Sequence, residues 1–314
     1  MENDRLPGRE ELAAENTFYN LKEALENKDR VFKLDLHYKQ LDEFPEEIYE
    51  FPNLSELILI NNKISHIPKD IDKLKNLQKL EISGNKLTSV PESISALKSL
   101  HTLMLSWNEL TALPQSIGNL HNLEWFAANN NHLRRIPESI GNLSNLQSLV
   151  ISDNELDSLP ESICSLSNLK KLRFSGNKIN TLPECLGSLS RLIKLEGHDN
   201  MITSLPDSIG GLKNLEKLRL YNNLLTGLPE SIGGLSSLQK LLLYENELKY
   251  LPESIGMLSK LEEFDLRMND LKSLPESIKD LLNLDYLDLG KNYFDQEEKT
   301  QIQMALSNTR IVWN

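Results

Sequence analysis

The sequence predicts an α/β solenoid, with a curved parallel β-sheet on the concave face and short 3-10 or helical turns on the convex face. Three observations predict it. Asparagine recurs at Asn62, Asn85, Asn108, Asn131, Asn154, Asn177, Asn200, Asn223, Asn246, Asn269 and Asn292, the step from Asn62 to Asn85 being repeated each time with no insertion. Proline keeps the same period from Pro45 and Pro68 through to Pro275, so eleven of the 13 prolines share one phase. Apolar residues fill fixed slots between these markers, as Leu77, Leu80, Ile82 and Leu87 do around Asn85. A fixed period of this length marks an array of stacked units, none of which can bury its apolar face alone. The 314 residues are therefore read as one solenoid rather than the two or three globular domains that the length alone suggests.

Taken in order, residues 1–30 are expected to form an N-terminal helical cap, with Leu12, Phe18, Leu21 and Leu25 on the apolar side of a charged segment over 10–29. Residues 31–294 hold twelve repeats; the first (Val31, Leu34, Leu36, Leu41) carries Lys39 at the asparagine position. On each strand, residues such as Leu80 and Ile82 alternate inward while Lys79 and Glu81 point outward. A buried asparagine left unpaired costs several kcal/mol, so its amide must bond to turn backbone of its own and adjacent repeats. The other half of the repeat reads L-P-E-S-I-G-x-L, as in Leu251 to Leu258. Proline suits the first position of a helical turn, and the acid after it suits the turn's positive end. Two departures look volume-compensated: Gly197 against Phe174, and Ala128 against Phe126. Residues 295–314 are expected to close the array with a helix from Asp295 to Leu306 and a last strand holding Ile311 and Trp313.

The pattern L-x-x-L-x-L-x-x-N-x-L, as in Leu238, Leu241, Leu243, Asn246 and Leu248, resembles the leucine-rich repeat family over residues 31 to about 294. The C-terminal ending resembles bacterial leucine-rich repeat proteins, leptospiral ones among them. The L-P-x-x-I-x-x-L half is also similar to intracellular Ras-binding leucine-rich repeat scaffolds. The caps favour the bacterial type. Some bacterial members are ubiquitin ligases, but that resemblance requires a separate catalytic domain carrying a cysteine, and only the short segment 295–314 follows the last repeat here.

The composition limits the chemistry. A net charge of −12 disfavours nucleic acid as a partner. No apolar run approaches the ~18 residues of a membrane span, and the polar start Met1–Gly8 carries no secretory signal. Cys164 and Cys185 are too few for a disulfide framework; lying in adjacent repeats but two phase positions apart, they read as packing residues. The six histidines (His37, His66, His101, His121, His132, His198) lack metal-ligand spacing, although neighbouring repeats could still assemble a site. No nucleophile elbow, phosphate-binding glycine loop or zinc helix is present. No enzyme activity, cofactor or metal is expected.

Function is therefore sought on the outward strand positions, where residues one period apart become neighbours. Two patches stand out. One gathers Met104, Trp107, Trp125, Ala127 and Val150, flanked by Asn129 and Asn130; its bland alternative is that the two indoles merely cover each other. The other gathers His198, Arg219, Tyr221, Leu242, Tyr244 and Arg267, and its alternative is internal pairing, Arg173, Glu196 and Arg219 alternating in sign and Arg267 lying on Tyr244. Lys171, Lys194, Lys217 and Lys240 form a like-charged row, read as a solvated face partly neutralised by Glu196 and Glu216, with an acidic ligand as the alternative. The expected function is a monomeric, non-enzymatic module that holds a protein partner on its concave face; the alternative is a glycan or host-surface-ligand receptor or adhesin.

Overall fold

In the computed structural model, residues 17–313 are described, so Leu12 and the rest of the expected cap before Thr17 lie outside the described residues. Each repeat contributes one three-residue strand and one short 3-10 turn, because the leucine slots alternate only as far as the asparagine turns the chain. Repeats touch chiefly their neighbours, and the chain divides into two compact units after Ser148.

The first unit carries β1 (Thr17–Phe18), β2 (Lys33–Asp35), β3 (Glu56–Ile58), β4 (Lys79–Glu81), β5 (Thr102–Met104) and β6 (Trp125–Ala127), paired in parallel in chain order. The second unit takes up most of β7 (Ser148–Val150). It then carries β8 (Lys171–Arg173), β9 (Lys194–Glu196), β10 (Lys217–Arg219), β11 (Lys240–Leu242), β12 (Glu263–Asp265), β13 (Tyr286–Asp288) and β14 (Arg310–Val312). From β8 to β13 the register steps by one full period per strand, as Lys217 opposite Lys240 illustrates.

The periodic asparagines join consecutive turns. Asn223 is 5% exposed, and its Nδ2 donates to Gly197 O and Leu220 O, both at 3.1 Å. Its Oδ1 accepts from Ile202 N at 3.0 Å, so one amide ties two consecutive turns. A second asparagine column, exposed on the other edge, repeats the idea: Asn76 Nδ2 donates to Pro52 O at 2.8 Å and Asn214 Nδ2 to Ser190 O at 2.7 Å.

Some expectations need correction. Proline stands just before most of the 3-10 turns rather than beginning them; Pro91 has ψ 149° and accepts from Ile94 N at 3.0 Å. The acid after it serves a neighbour as well. Glu253 Oε2 accepts from Ser277 N at 3.1 Å, and this hydrogen bond heads the causes that hold the Glu253 carboxyl below its usual range. Among the described N-terminal residues, α1 (Leu21–Leu25) is helical, while Phe18 lies in β1, paired with Leu34, rather than on a helix. The backbone of β1 pairs with the edge of β2 and satisfies its hydrogen-bonding groups directly. At the C-terminus α2 (Gln296–Ala305) is capped by Asp295, whose side chain accepts from Glu298 N, and β14 pairs with β13. Trp313 lies one residue beyond β14, edge-on to Phe294.

The largest correction concerns the cysteines, which form a disulfide between Cys164 and Cys185. The stacking explains it. Cys164 occupies the slot filled by Gly118 and Gly187 in other repeats, and a Cβ at Gly118 would point at Ser139 of the next turn, 2.7 Å from its Cβ. Cys185 replaces that serine one turn on. A sequence separation of 21 is thus a direct contact between adjacent turns. The turn at Cys185 is shortened accordingly, its 3-10 segment starting only at Leu186.

Two consequences can be measured. A Cβ at Gly197 would lie 2.3 Å from Cε2 and Cζ of the fully buried Phe174. Gly197→Ala should therefore cost about 1–3 kcal/mol in urea unfolding, and Phe174→Leu in the same chain should recover part of that loss. Reducing the disulfide, or replacing both cysteines by serine, should lower unfolding stability by about 3 kcal/mol, given a closed loop of this size. Equal melting curves with and without reductant would contradict the second expectation.

Candidate functional site

The outward strand positions of the second unit build a continuous ladder of rings. His198, Tyr221 and Tyr244 each stand two positions past the outward residue that follows their strand's central leucine, on the same outer face. The His198 and Tyr221 rings stack at 4.2 Å with a 10° interplanar angle, and Tyr221 and Tyr244 stack at 4.3 Å and 7°. The Arg267 guanidinium closes the series, 4.3 Å from the Tyr244 ring centroid. Burial, then the neighbouring Tyr244, pushes the Tyr221 hydroxyl up to about 12. The hydroxyl therefore stays protonated as a hydrogen-bond donor.

Beside this ladder runs the charge column. Glu196 is 5% exposed and lies between Arg173, at 2.6 Å from its Nε, and Arg219, at 3.6 Å from its Nη1. Leu242, half-buried, extends the column on β11 between Arg219 and Asp265. Both the internal pairing and the Arg267 contact expected from the sequence are present. They pre-order the patch rather than hide it, since the four members of the ring ladder all keep partial exposure.

At the end of the column Asp265 and Asp288 face each other across β12 and β13, 7% and 4% exposed. Asp288 accepts from Tyr286 Oη and Gly290 N, both at 3.0 Å. Burial pushes the Asp265 carboxyl up to about 6, Asp288 and Glu263 adding repulsion while the Arg267 amide and guanidinium oppose it.

The first patch is less coherent than the sequence suggests. Met104 lies on β5 opposite Ala127, and Trp125 on β6 opposite Thr102. Trp107 is not a strand residue. It sits at the tight turn after β5 with φ +57°, and its amide donates to Asn129 O at 2.9 Å. Asn129 also accepts from Ser106 Oγ at 2.5 Å. Trp107 therefore stands one period before Asn130, five positions beyond Trp125 in the register of the strands. Trp107, 64% exposed, thus leaves the strand face on which Trp125 stands. Val150 belongs to the second unit, half-buried on β7. Trp125 and Met104 instead line a shallow groove of about 390 Å³ with Glu56, Lys79, Glu81 and His101.

The position of Trp107 exposes a column that sequence reasoning missed. Asn61, Gly84, Trp107, Asn130, Asp153, Gly176, Asp199, Asn222, Glu245, Met268 and Lys291 all have φ between +51° and +68°. Gly84 and Gly176 adopt this left-handed conformation freely, and asparagine and aspartate tolerate it. The abundance of these types immediately before the periodic asparagine was the available signal. A tryptophan there costs about 1 kcal/mol or more, yet Trp107 is 64% exposed and gains no burial in return.

Metal-binding geometry is limited. Among the described residues the one grouping of suitable side chains is Glu161 with Cys164 and Cys185. Its two sulfurs are bonded to each other and offer no thiolate. Among the described residues, no helix is long and apolar enough to cross a membrane.

The repeat geometry agrees with the comparisons. The sequence model of the leucine-rich repeat region matches residues 30–131, 115–220 and 194–309. The chain belongs to the leucine-rich repeat family. No curated protein matches it in sequence. Among solved structures, a leucine-rich repeat protein of Leptospira interrogans is 29% identical, with 95% of this chain and 100% of that one covered and a TM-score of 0.55. An internalin of Listeria monocytogenes is 22% identical, covering 93% and 88%, with a TM-score of 0.70, and shares the fold. The Arabidopsis receptor kinase HAESA, solved with the peptide hormone IDA and the co-receptor SERK1, is 30% identical over 85% of this chain and 51% of that one, with a TM-score of 0.69. The leptospiral match fits the bacterial type that the terminal caps favour. This leucine-rich repeat chain thus has the fold of interaction modules.

The raised acid gives a pH signature with a definite sign. Between the ordinary value of 3.8 and about 6 the folded chain keeps a proton on Asp265 that the unfolded chain has released. Stability from this group is therefore full below 3.8 and declines as pH rises to about 6. Asp265→Asn should remove that segment of the urea-unfolding pH profile, a change of roughly 1–3 kcal/mol. A carboxyl titration midpoint near 4 for Asp265 in the folded chain would contradict the assignment.

Proposed function

We propose that this chain is a non-enzymatic protein-binding module and that the outward strand face of its second unit is its docking surface. The observation that carries the reading is the ladder His198–Tyr221–Tyr244–Arg267, with stacking distances of 4.2 to 4.3 Å. Tyrosine and arginine dominate binding hot spots, and rings already held by their neighbours lose little side-chain entropy on docking. Leu242 and Arg219 lie on the same face and add an apolar and a cationic contact. The solved HAESA complex, which includes a peptide hormone and a co-receptor, supports protein recognition as a use of this repeat architecture. Trp107 and Trp125 belong to the same proposed role in the first unit.

The test begins with affinity capture by the intact chain, followed by titration of each purified partner. Tyr221→Ala/Tyr244→Ala should raise Kd about 30-fold, equivalent to ~2 kcal/mol, with the circular dichroism spectrum unchanged. Trp107→Ala/Trp125→Ala serves as the parallel variant for the first unit. A genuine partner whose affinity ignores both tyrosines would place its docking surface elsewhere.

A further inference from the structure

The row of lysines on the second unit is more exposed electrostatically than its sequence suggests. Lys171, Lys194, Lys217 and Lys240 start four consecutive strands in register, with Arg173 and Arg219 on the same outward face. The carboxylate available to these six cations within β8 to β11 is Glu196, and it is committed to the two arginines. Lys240 pairs with Glu263 at 2.5 Å. None of the ion pairs among the described residues includes Lys171, Lys194 or Lys217. Glu216, which the sequence offers as a neutralising neighbour, lies before β10, where its carbonyl accepts from Gln239 and Lys240 amides. A chain of net charge −12 thus concentrates uncompensated positive charge on one face of four strands.

We infer that this lysine row, together with the edge of the tyrosine ladder, binds a short acidic segment of a polypeptide in extended form. The inference rests on the proposed docking face and adds the chemistry of its partner. Two features select an acidic peptide over other anions. Both faces of the Tyr221 ring are covered, by His198 and Tyr244, and Tyr244 is sandwiched between Tyr221 and Arg267. Neither ladder tyrosine keeps an open face on which a base or sugar could stack, whereas stacking is a main source of affinity for single-stranded nucleic acid. The hydroxyl edges remain, and they donate hydrogen bonds to carboxylates. Length is the second feature. Four strands at about 4.8 Å per step span roughly 14 Å, which matches about four residues of extended chain. A longer, uniformly charged polymer would run beyond the row onto a surface of net negative charge, where it is repelled.

The lysines themselves register the strain of the row. Burial first, and then the neighbouring guanidinium groups, hold the Lys171 and Lys217 ammonium groups below the ordinary lysine value. A bound carboxylate relieves that repulsion.

The experiment uses the intact chain and a fluorescent peptide of about five residues with glutamate at alternate positions, whose side chains on one face recur every ~7 Å. A matched peptide with glutamine at those positions is the neutral control. At low ionic strength the glutamate peptide should bind at least tenfold more tightly than the control, and added salt should erode the difference. Lys194→Glu/Lys217→Glu should abolish the preference, and the milder Lys194→Gln/Lys217→Gln should weaken the glutamate peptide several-fold should charge reversal disturb folding. A single-stranded oligonucleotide and a sulfated oligosaccharide of equal charge form the comparison arms. Equal binding of the two peptides, a preference that survives the lysine substitutions, or tighter binding of either comparison polymer overturns the inference. Tyrosine-dependent partner binding without any glutamate preference would overturn it while leaving the docking face intact.

Discussion

One amide side chain per repeat holds this architecture together. In a strand only three residues long, the backbone has too few cross-strand bonds to fix the turn that follows, and the turn must pass close to the core. The asparagine at that point donates to two carbonyls and accepts from one amide, and its partners belong to two successive repeats. Local chain reversal and stacking are therefore the same event. The left-handed residue before each asparagine, the inward leucines after the strand and the register of the sheet all follow from where that amide must sit.

Much of this was legible in the sequence because it is periodic. A buried polar group at a fixed interval admits few explanations, and the apolar slots around it specify which side chains face inward. The pairing of Arg173, Glu196 and Arg219, the contact of Arg267 with Tyr244 and the fit of Gly197 against Phe174 were all readable from columns, since each involves residues one period apart. The ring ladder could be anticipated as a patch, but not as a stack: ring orientation depends on side-chain torsions that spacing does not encode.

What escaped was chemistry displaced from the period. Cys164 and Cys185 fall two positions short of a full period, and that offset hid the fact that a side chain in the glycine slot points at the serine slot of the next turn. Proximity in sequence places Trp107 on the strand face, although its backbone has already left the strand. The first cap differs for another reason. An amphipathic pattern reports that Phe18 has a buried side, and it does not report that the backbone of β2 offers Phe18 a strand partner. In the second unit the outward face divides by charge: Glu196 is committed to the two arginines and Lys240 to Glu263, while Lys171, Lys194 and Lys217 stand outside the ion pairs.

The bond between Cys164 and Cys185 gives the second unit an internal stop. Arrays of this kind come apart from their ends, each lost repeat uncovering the next, so damage at one terminus travels by simple unzipping. A covalent link between two adjacent turns cannot be released by solvent, and a fraying front that reaches it must dislodge two repeats at once. The ring ladder begins at His198, just beyond that clasp towards the C-terminus. The segment that carries it is thus anchored at its near end by sulfur and left to the cap, α2 with β14, at the other.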